Sequence, residues 1–277
     1  MTETSSSLIK AAAIAELTAN TPVVFLDARG GSDAFERYLQ GHLSNAHFID
    51  LETDLSTKSE DPKHGGRHPL PTTEKFGEVL SRCGISPSTH VIVYDDKNAS
   101  NAAARLWWML KAIGHERVSV VDGGMDSIIR AGLRLSTGQT PATGSHFSYP
   151  VPASWQSPTV TIGEVEQATQ DPDFLIIDVR ESFRYRGESE PIDLTAGHIP
   201  AAINIPYSTN LEANGEFKPA DELRSLYATQ LDGHDSQKVI VHCGSGVTAC
   251  HTLLALEVAG FQGASLYVGS WSEWSRQ

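Results

Sequence analysis

The segment whose residues are best suited to catalysis is a cysteine loop, Cys243 to Ala249, near the carboxyl end of the sequence. An apolar run, Val239 to His242, precedes the loop, and a helical pattern from Thr248 to Val258 follows it and stops at Gly260. A strand, a tight loop and a helix start therefore meet at one cysteine. Loop N–H groups and a helix N-terminus provide partial positive charge, which stabilises a thiolate or a negative sulfur atom attached to it. A strand-end cysteine is often a small core residue, but the loop glycines favour a nucleophile here.

The other residues of this loop carry groups suited to surround a sulfur atom. We expect Gly244, Gly246 and Val247, through their backbone, and Thr248, through its hydroxyl, to bind the substrate. The Thr248 hydroxyl can instead cap the following helix. The Ser245 hydroxyl either points into the loop cavity or bonds the backbone nearby.

The sequence contains a repeat that predicts its architecture. Four segments of the first half recur in the same order in the second half, which indicates a duplication: Val24–Arg29 with Leu175–Arg180, Gly41–Ala46 with Gly197–Ala202, Val91–Tyr94 with Val239–His242, and Val120–Gly124 with Leu266–Ser270. Each half alternates short β-branched runs with helical patterns, which is typical of an α/β fold with a parallel sheet flanked by helices. The runs are apolar at successive positions, as expected for strands covered on both faces.

The repeat also predicts domain boundaries. We assign residues 1–140 to a first domain, 141–158 to a linker and 159–277 to a second domain, because residues 136–158 are rich in Ser, Thr, Gly and Pro. The alanine-rich stretch from Leu8 to Leu17 predicts a helix. Alignment of the halves places Asp95 where Cys243 lies. Because a carboxylate cannot attack sulfur, the first half is predicted to be non-catalytic.

Composition excludes several classes of partner. The formal net charge of −13 argues against nucleic acid and anionic membrane surfaces, and no apolar run approaches the length of a membrane span. Cys83 and Cys250 read as buried core residues, and three cysteines make no disulfide framework. We therefore expect a reducing, cytoplasmic location, or a mitochondrial one in a eukaryote. The histidine and glycine spacings match no zinc site or nucleotide loop, so neither metal nor cofactor is expected.

Two motifs resemble a known family. The loop Cys-Gly-Ser-Gly-Val-Thr-Ala resembles the active-site loop of tandem-domain rhodaneses, in the 3-mercaptopyruvate sulfurtransferase branch, whereas the thiosulfate branch usually has basic residues after the cysteine. The segment Tyr267 to Trp274 resembles the rhodanese C-terminal signature. The resemblance implies two rhodanese-like domains with the active site between them. It also implies transfer of sulfur from 3-mercaptopyruvate, through a Cys243 persulfide, to a thioredoxin-like thiol or cyanide, with release of pyruvate.

The resemblance implies further site residues. In this family a serine, a histidine and an aspartate act together, and they match Ser245, His68 and Asp50. Extra residues around 61–67 make His64 a rival for His68. The family's substrate-binding arginine matches Arg184.

The second substrate arginine of the family is missing from this sequence. Ser189-Glu190-Pro191 is followed by Ile192 where that arginine is expected. Arg186 is a candidate substitute. Asp178 and Arg180 are predicted to form a structural strand-end pair, because the same residue types recur as Asp27 and Arg29 in the first half.

Three alternative functions compete with this reading. Thiosulfate:cyanide sulfurtransferase activity is disfavoured by the neutral Gly244-Ser245 pair, because a dianion would favour basic side chains there. A Cys-x5-Arg phosphatase is disfavoured because Ala249 occupies the arginine position. A non-enzymatic persulfide carrier is disfavoured by the intact loop and tandem architecture.

Trp274 is predicted to pack against the sheet, and the role of Trp271 is left open.

Overall fold

The computed structural model describes residues 6–142 and 148–277, which form two compact units. The N-terminal unit contains the described residues up to Ser56, Pro71–Gln156 and Ala213–Glu216. The C-terminal unit contains Thr57–Leu70, Ser157–Glu212 and Phe217–Gln277. Each half of the sequence thus contributes a short segment to the unit built mainly by the other half. Residues 143–147 of the linker predicted at 141–158 lie outside the described residues.

The N-terminal unit has a parallel sheet with helices around it. Its strands are β1 (Leu8–Lys10), β2 (Val23–Arg29), β3 (His42–Leu43), β4 (His47–Asp50), β5 (His90–Tyr94), β6 (Val118–Asp122) and β7 (Leu135–Ser136). Its helices are α1 (Ile14–Asn20), α2 (Ala34–Gln40), α3 (Thr73–Arg82), α4 (Ala102–Ala112) and α5 (Gly124–Arg130). The five-stranded sheet has the order β1-β6-β5-β2-β4, and β3 pairs with β7 in a small antiparallel ladder.

The C-terminal unit repeats this plan. Its strands are β8 (Thr159–Val160), β9 (Leu175–Asp178), β10 (Ile203–Asn204), β11 (Val239–His242) and β12 (Ser265–Tyr267). Its helices are α6 (Ile162–Ala168), α7 (Ser182–Tyr185), α8 (Ala220–Leu231), α9 (Ala249–Ala259) and α10 (Ser270–Trp274). The strands pair in parallel in the order β10-β9-β11-β12-β8, which is the order of the first sheet read from the β4 edge. The predicted α/β class with two parallel sheets is confirmed.

An equivalent buried Asp-Arg ion pair lies at the end of the second strand of each unit. In the N-terminal unit, Arg29 at the end of β2 donates from Nε and Nη2 to the two carboxylate oxygens of Asp27, both at 2.7 Å. Its Nη2 also donates to the carbonyl oxygen of Gly41 at 2.8 Å. A fork-like guanidinium suits this bidentate geometry, so the pair ties the strand to the loop that precedes β3.

The C-terminal unit contains the counterpart of this pair. Arg180 Nη2 donates to Asp178 at 2.6 Å and to the carbonyl oxygen of Gly197 at 2.7 Å. Both side chains are buried. The predicted strand-end pairs are therefore present in both repeats, and they hold the Gly-His segments in equivalent places.

The N-terminal helix prediction is partly wrong. Leu8 to Lys10 form strand β1, paired in parallel with β6, and a short 3-10 turn leads into α1 at Ile14. Local alanine content favours a helix, but pairing with a buried strand at the sheet edge satisfies the backbone of these residues. The predicted helix after the cysteine loop is present as α9, and it ends at Gly260, whose φ of 88° suits glycine.

Asp95 fills the N-terminal counterpart of the cysteine loop. It directly follows β5, as Cys243 follows β11, and its carboxylate is buried. Four backbone N–H groups donate to that carboxylate over 2.8–3.4 Å, those of Lys97, Ala99, Asn101 and Ala103. Burial raises the pKa of Asp95, although these donors oppose the shift. A strand, loop and helix start of this kind thus encloses a carboxylate of its own chain.

We expect Asp95→Asn to destabilise the protein. An amide would turn Nδ2 toward two backbone donors, and each buried donor left unsatisfied costs about 1–3 kcal/mol. The free energy of unfolding, measured with chemical denaturant, should fall by roughly 2–6 kcal/mol. Asp126→Asn is the matched control, because Asp126 is exposed on α5. Equal stability of the Asp95 variant and the wild type would show that the loop does not require an anion.

Candidate active site

The two sequence motifs of the C-terminal unit are hydrogen-bonded to each other. Cys243, 3% exposed, donates its backbone N–H to Ser270 Oγ at 3.2 Å. The backbone N–H of Trp271 donates to the Cys243 carbonyl at 3.1 Å, and that of Ser272 donates to the Gly244 carbonyl at 2.8 Å. The start of α10 therefore positions the first two residues of the cysteine loop.

The rest of the loop turns tightly beneath the cysteine. Gly246 has a φ of 73°, and a Cβ there would collide with the Val268 carbonyl oxygen. Val247 is buried, and the Cys250 thiol donates to the Gly246 carbonyl at 3.4 Å. Thr248 directly precedes α9 and makes no side-chain capping bond. Of the two uses predicted for the Thr248 hydroxyl, helix capping is therefore absent.

Ser245 meets a histidine distant in sequence. Its Oγ lies 2.7 Å from Nδ1 of His68, which belongs to the C-terminal unit with the segment Thr57–Leu70. His64, the rival in sequence, is exposed, and its backbone N–H bonds to the Asp61 carbonyl. Of the two histidines, it is His68 whose side chain lies against the cysteine loop.

Helix α10 also anchors the segment that carries this histidine. Gly65 donates its backbone N–H to Glu273 Oε1 at 2.7 Å, and Arg67 donates its backbone N–H to Ser272 Oγ at 3.1 Å. The signature segment therefore holds the loop and the His68 segment in one frame.

Arg184 lies beside the residue that follows the cysteine. Its Nη2 is 3.5 Å from the position that a Cβ would take on Gly244. The guanidinium donates to both carboxylate oxygens of Glu190, at 3.1 and 2.7 Å, and approaches Asp193 at 3.5 Å. Burial by itself would raise the pKa of Glu190, but Arg184 and nearby backbone N–H groups hold it below the usual value. The arginine is thus oriented by an ionised neighbour.

A second arginine at this place was missed from the sequence. Nη2 of Arg67 lies 3.1 Å from the same Cβ position on Gly244, and its Nε donates to Asp193 at 3.1 Å. The only available signal was an arginine within the extra residues before His68. Because these charges come from other segments, the neutral loop sequence does not make the site neutral.

Arg186, the predicted substitute, points elsewhere. It is exposed and pairs with Glu188 at 2.6 Å. Ile192, in the expected arginine position, is 54% exposed.

Asp50 belongs to the N-terminal unit, at the end of β4. The backbone N–H of Glu52 donates to its Oδ1 at 2.7 Å. Burial raises the pKa of Asp50, against the effect of that hydrogen bond. With Arg82 and Cys83, among others, Asp50 lines a cavity of about 380 Å³ in this unit.

The other cysteines and the tryptophans are packing residues. Burial raises the pKa of the Cys83 thiol to about 12, and Cys250 is buried on α9. Trp271 lies over the Arg180 guanidinium at 4.7 Å and donates from Nε1 to the Thr195 carbonyl at 2.8 Å. Trp274 is partly buried and packs against the hydrophobic core cluster that contains Trp271.

Within the described ranges, 6–142 and 148–277, two further features are absent. No cluster of three or more His, Cys, Asp or Glu side chains suits a metal ion. No helix in these ranges has the length and apolar character that crossing a membrane requires.

We expect Gly246→Ala to destabilise the fold. The positive φ and the collision with Val268 should together lower the free energy of unfolding by at least about 1–3 kcal/mol. Gly163→Ala is the control, because Gly163 lies in α6 with nothing near its Cβ position, and it should raise stability by about 1 kcal/mol. Thermal or denaturant unfolding measures both, and equal stability of the two variants would contradict the tight packing under the loop.

Comparison with known proteins shows the family to which the chain belongs. The family model for the rhodanese-like domain matches residues 10–131 and 161–277. A probable 3-mercaptopyruvate sulfurtransferase of Pseudomonas aeruginosa is 36% identical over 98% of this chain and 95% of its own. A putative thiosulfate sulfurtransferase, SseB, of Mycobacterium tuberculosis is 38% identical over 97% of this chain and 93% of its own. The solved structure of SseA of Escherichia coli, a 3-mercaptopyruvate sulfotransferase, is 33% identical with a TM-score of 0.78, covering 97% of this chain and 100% of that one. Its two matched domains, its cysteine loop and its full-length relatives together place this chain in the rhodanese family, in the 3-mercaptopyruvate sulfurtransferase branch.

Proposed function

We propose that this protein is a sulfurtransferase that moves sulfur from 3-mercaptopyruvate, through a persulfide on Cys243, to a thiol acceptor or to cyanide. The observation that carries the proposal is the contact of Ser245 Oγ with His68 Nδ1 at 2.7 Å, two residues after the cysteine. This contact brings a hydroxyl and an imidazole ring together beside the cysteine loop. The P. aeruginosa and E. coli relatives, by their names, support the choice of donor.

In the first half-reaction, the Cys243 thiolate attacks the sulfur of 3-mercaptopyruvate. An S–S bond forms and the C–S bond breaks, and its electron pair leaves with carbon as pyruvate enolate. The sulfur then remains on the enzyme as a Cys243 persulfide. The N-terminal unit supports the idea that such a loop can stabilise the anionic persulfide. In its equivalent loop, four backbone N–H groups donate to the carboxylate of Asp95.

The enolate must gain a proton to leave as pyruvate. We propose that the Ser245 hydroxyl donates this proton, and that His68 then returns a proton to Ser245 through their hydrogen bond. Thr248, Gly244, Gly246 and Val247 are proposed to line the substrate site around the sulfur. Asp50 stays a prediction from the family resemblance.

In the second half-reaction, the acceptor removes the outer sulfur. An acceptor thiolate attacks it, a new S–S bond forms on the acceptor, and the Cys243 thiolate leaves with the electron pair of the broken bond. Cyanide would take the same sulfur as thiocyanate. A thioredoxin-like protein is the proposed thiol acceptor, in a reducing compartment such as the cytoplasm.

Thiosulfate is the second candidate donor. Arg67 and Arg184 place positive charge at Gly244, where the loop sequence itself has none, and the M. tuberculosis relative is named for this activity. Attack on the outer sulfur of thiosulfate releases sulfite, which needs no proton from Ser245. The two donors therefore differ in their demand on the Ser245–His68 pair.

We expect Cys243 to be the sulfur-carrying cysteine. Incubation with 3-mercaptopyruvate should add one sulfur atom at Cys243, located by peptide mass spectrometry. Cys243→Ser should abolish turnover, whereas Cys250→Ala should keep most of it. Turnover by Cys243→Ser would contradict the mechanism. A persulfide without repeated turnover would indicate a carrier instead of an enzyme.

Loss of the Ser245–His68 pair should affect the two donors differently. We expect Ser245→Ala and His68→Ala each to depress kcat with 3-mercaptopyruvate by about 10²- to 10⁴-fold, the usual contribution of general acid catalysis. Any thiosulfate activity should be largely retained. His64→Ala is the matched control and should change neither activity. Equal losses with both donors would mean that the pair shapes the loop without transferring protons.

A further inference from the structure

His242 is a buried titratable residue beside the nucleophile that the proposed mechanism does not use. It is the last residue of β11, directly precedes Cys243 and is fully buried. Its Nδ1 lies 3.2 Å from the carbonyl oxygen of Cys243. Among the described residues, its Nε2 has no hydrogen-bond partner, although Oδ2 of Asp178 lies 3.8 Å away. One ring nitrogen of His242 therefore has a definite partner, and that partner is the backbone of the nucleophile.

The surroundings of His242 determine where the ring carries its proton. A carbonyl oxygen can only accept a hydrogen bond, so the contact with Cys243 requires a proton on Nδ1. The charged and titratable side chains around the ring are Asp178, Arg180, His198 and Tyr267. Burial is the largest influence and lowers the pKa of His242, against the carboxylate of Asp178. The ring is therefore expected to be neutral at pH 7, with its proton on Nδ1.

The Cys243 carbonyl is held by two donors. It accepts from the backbone N–H of Trp271 at 3.1 Å and from Nδ1 of His242. Because the peptide bond is planar and trans, the N–H of Gly244 points away from this carbonyl. Two donors that fix the carbonyl therefore also fix the direction of the Gly244 N–H, which belongs to the loop proposed to surround the sulfur.

The other repeat uses the equivalent position differently. Tyr94 ends β5 as His242 ends β11, and its hydroxyl accepts the backbone N–H of Leu43 at 2.8 Å. The carbonyl of Asp95, the counterpart of the cysteine, accepts the backbone N–H of Met125 at 2.9 Å. Tyr94 thus holds the Gly-His segment of its own unit, whereas His242 reaches the carbonyl of the reactive residue.

We propose that His242 is a positioning residue for the nucleophile: with Trp271 it holds the Cys243 carbonyl so that the Gly244 N–H is directed toward the sulfur anion. A preorganised donor aimed at an anion stabilises it, and so favours thiolate over thiol. In this role His242 acts through the backbone and transfers no proton. The inference rests on the proposed function only in taking Cys243 as the nucleophile.

The test is the rate at which iodoacetamide alkylates Cys243, followed by peptide mass spectrometry without any sulfur donor. His242→Leu removes the side-chain donor, and alkylation at pH 7 should slow about 2- to 10-fold, the effect of one hydrogen bond. The difference should disappear toward pH 10, where both proteins carry the thiolate. His242→Asn keeps an N–H donor near the Nδ1 position and should recover most of the rate. His242→Gln, whose amide extends toward the Nε2 position, should not.

The matched control is Tyr94→Phe, which removes the polar group from the equivalent position of the other repeat and should leave the alkylation rate unchanged. Equal rates for His242→Leu and the wild type at pH 7 would overturn the inference. A loss that persists to pH 10 would also overturn it, because it indicates a displaced loop. Equal behaviour of His242→Asn and His242→Gln would have the same meaning, and this comparison decides the matter if His242→Leu does not fold.

The alkylation series is independent of the sulfur-transfer reaction. If the wild type is alkylated at Cys243 but does not turn over 3-mercaptopyruvate, the proposed function fails, while the alkylation rates of the variants still decide the role of His242. If the wild type does turn over this donor, kcat/KM at pH 7 should fall in His242→Leu by the same factor as the alkylation rate and recover in His242→Asn.

Discussion

The arrangement of the cysteine loop depends on hydrogen bonds made by the first turn of α10. Ser272 donates its backbone N–H to the Gly244 carbonyl and accepts from the Arg67 backbone N–H at Oγ. Ser270 Oγ accepts from the backbone N–H of Cys243, and the backbone N–H of Trp271 donates to the Cys243 carbonyl. These few groups join two segments that are far apart in the sequence, so Cys243, the Ser245–His68 pair and Arg67 share one frame. Displacing this turn would separate all of them at once.

Positive charge lies beside the cysteine loop although the chain as a whole has a formal net charge of −13. Buried charges are costly unless they are paired and hydrogen-bonded. Four arginines of the C-terminal unit meet this condition through ion pairs with three carboxylates: Arg67, Arg180, Arg184 and Arg276 with Asp178, Glu190 and Asp193. The carboxylates orient the guanidinium groups and neutralise most of their charge. The small excess that remains is local, and the net charge of the chain therefore says little about this site.

The two repeats show how one framework supports different local roles. The buried Asp-x-Arg pair and the stacked Tyr-His pairs, Tyr38 with His42 and Tyr185 with His198, recur in both units. At the end of the central strand the repeats diverge. Asp95 satisfies the loop N–H groups with its own carboxylate, whereas Cys243 places a sulfur at the equivalent position. A loop that already contains an anion has no room for a second one.

Local patterns in the sequence determined the duplication, the parallel α/β class, the strand-end pairs and the cysteine loop, because these depend on periodicity and near neighbours. The same local reasoning predicted a helix at Leu8, where pairing with β6 decided for a strand. The contact of His68, rather than His64, with Ser245 and the position of Arg67 beside Gly244 are visible only in the tertiary structure. Contacts between residues far apart in sequence, such as His68 and Ser245, depend on how separate segments pack, and no local pattern encodes that distance.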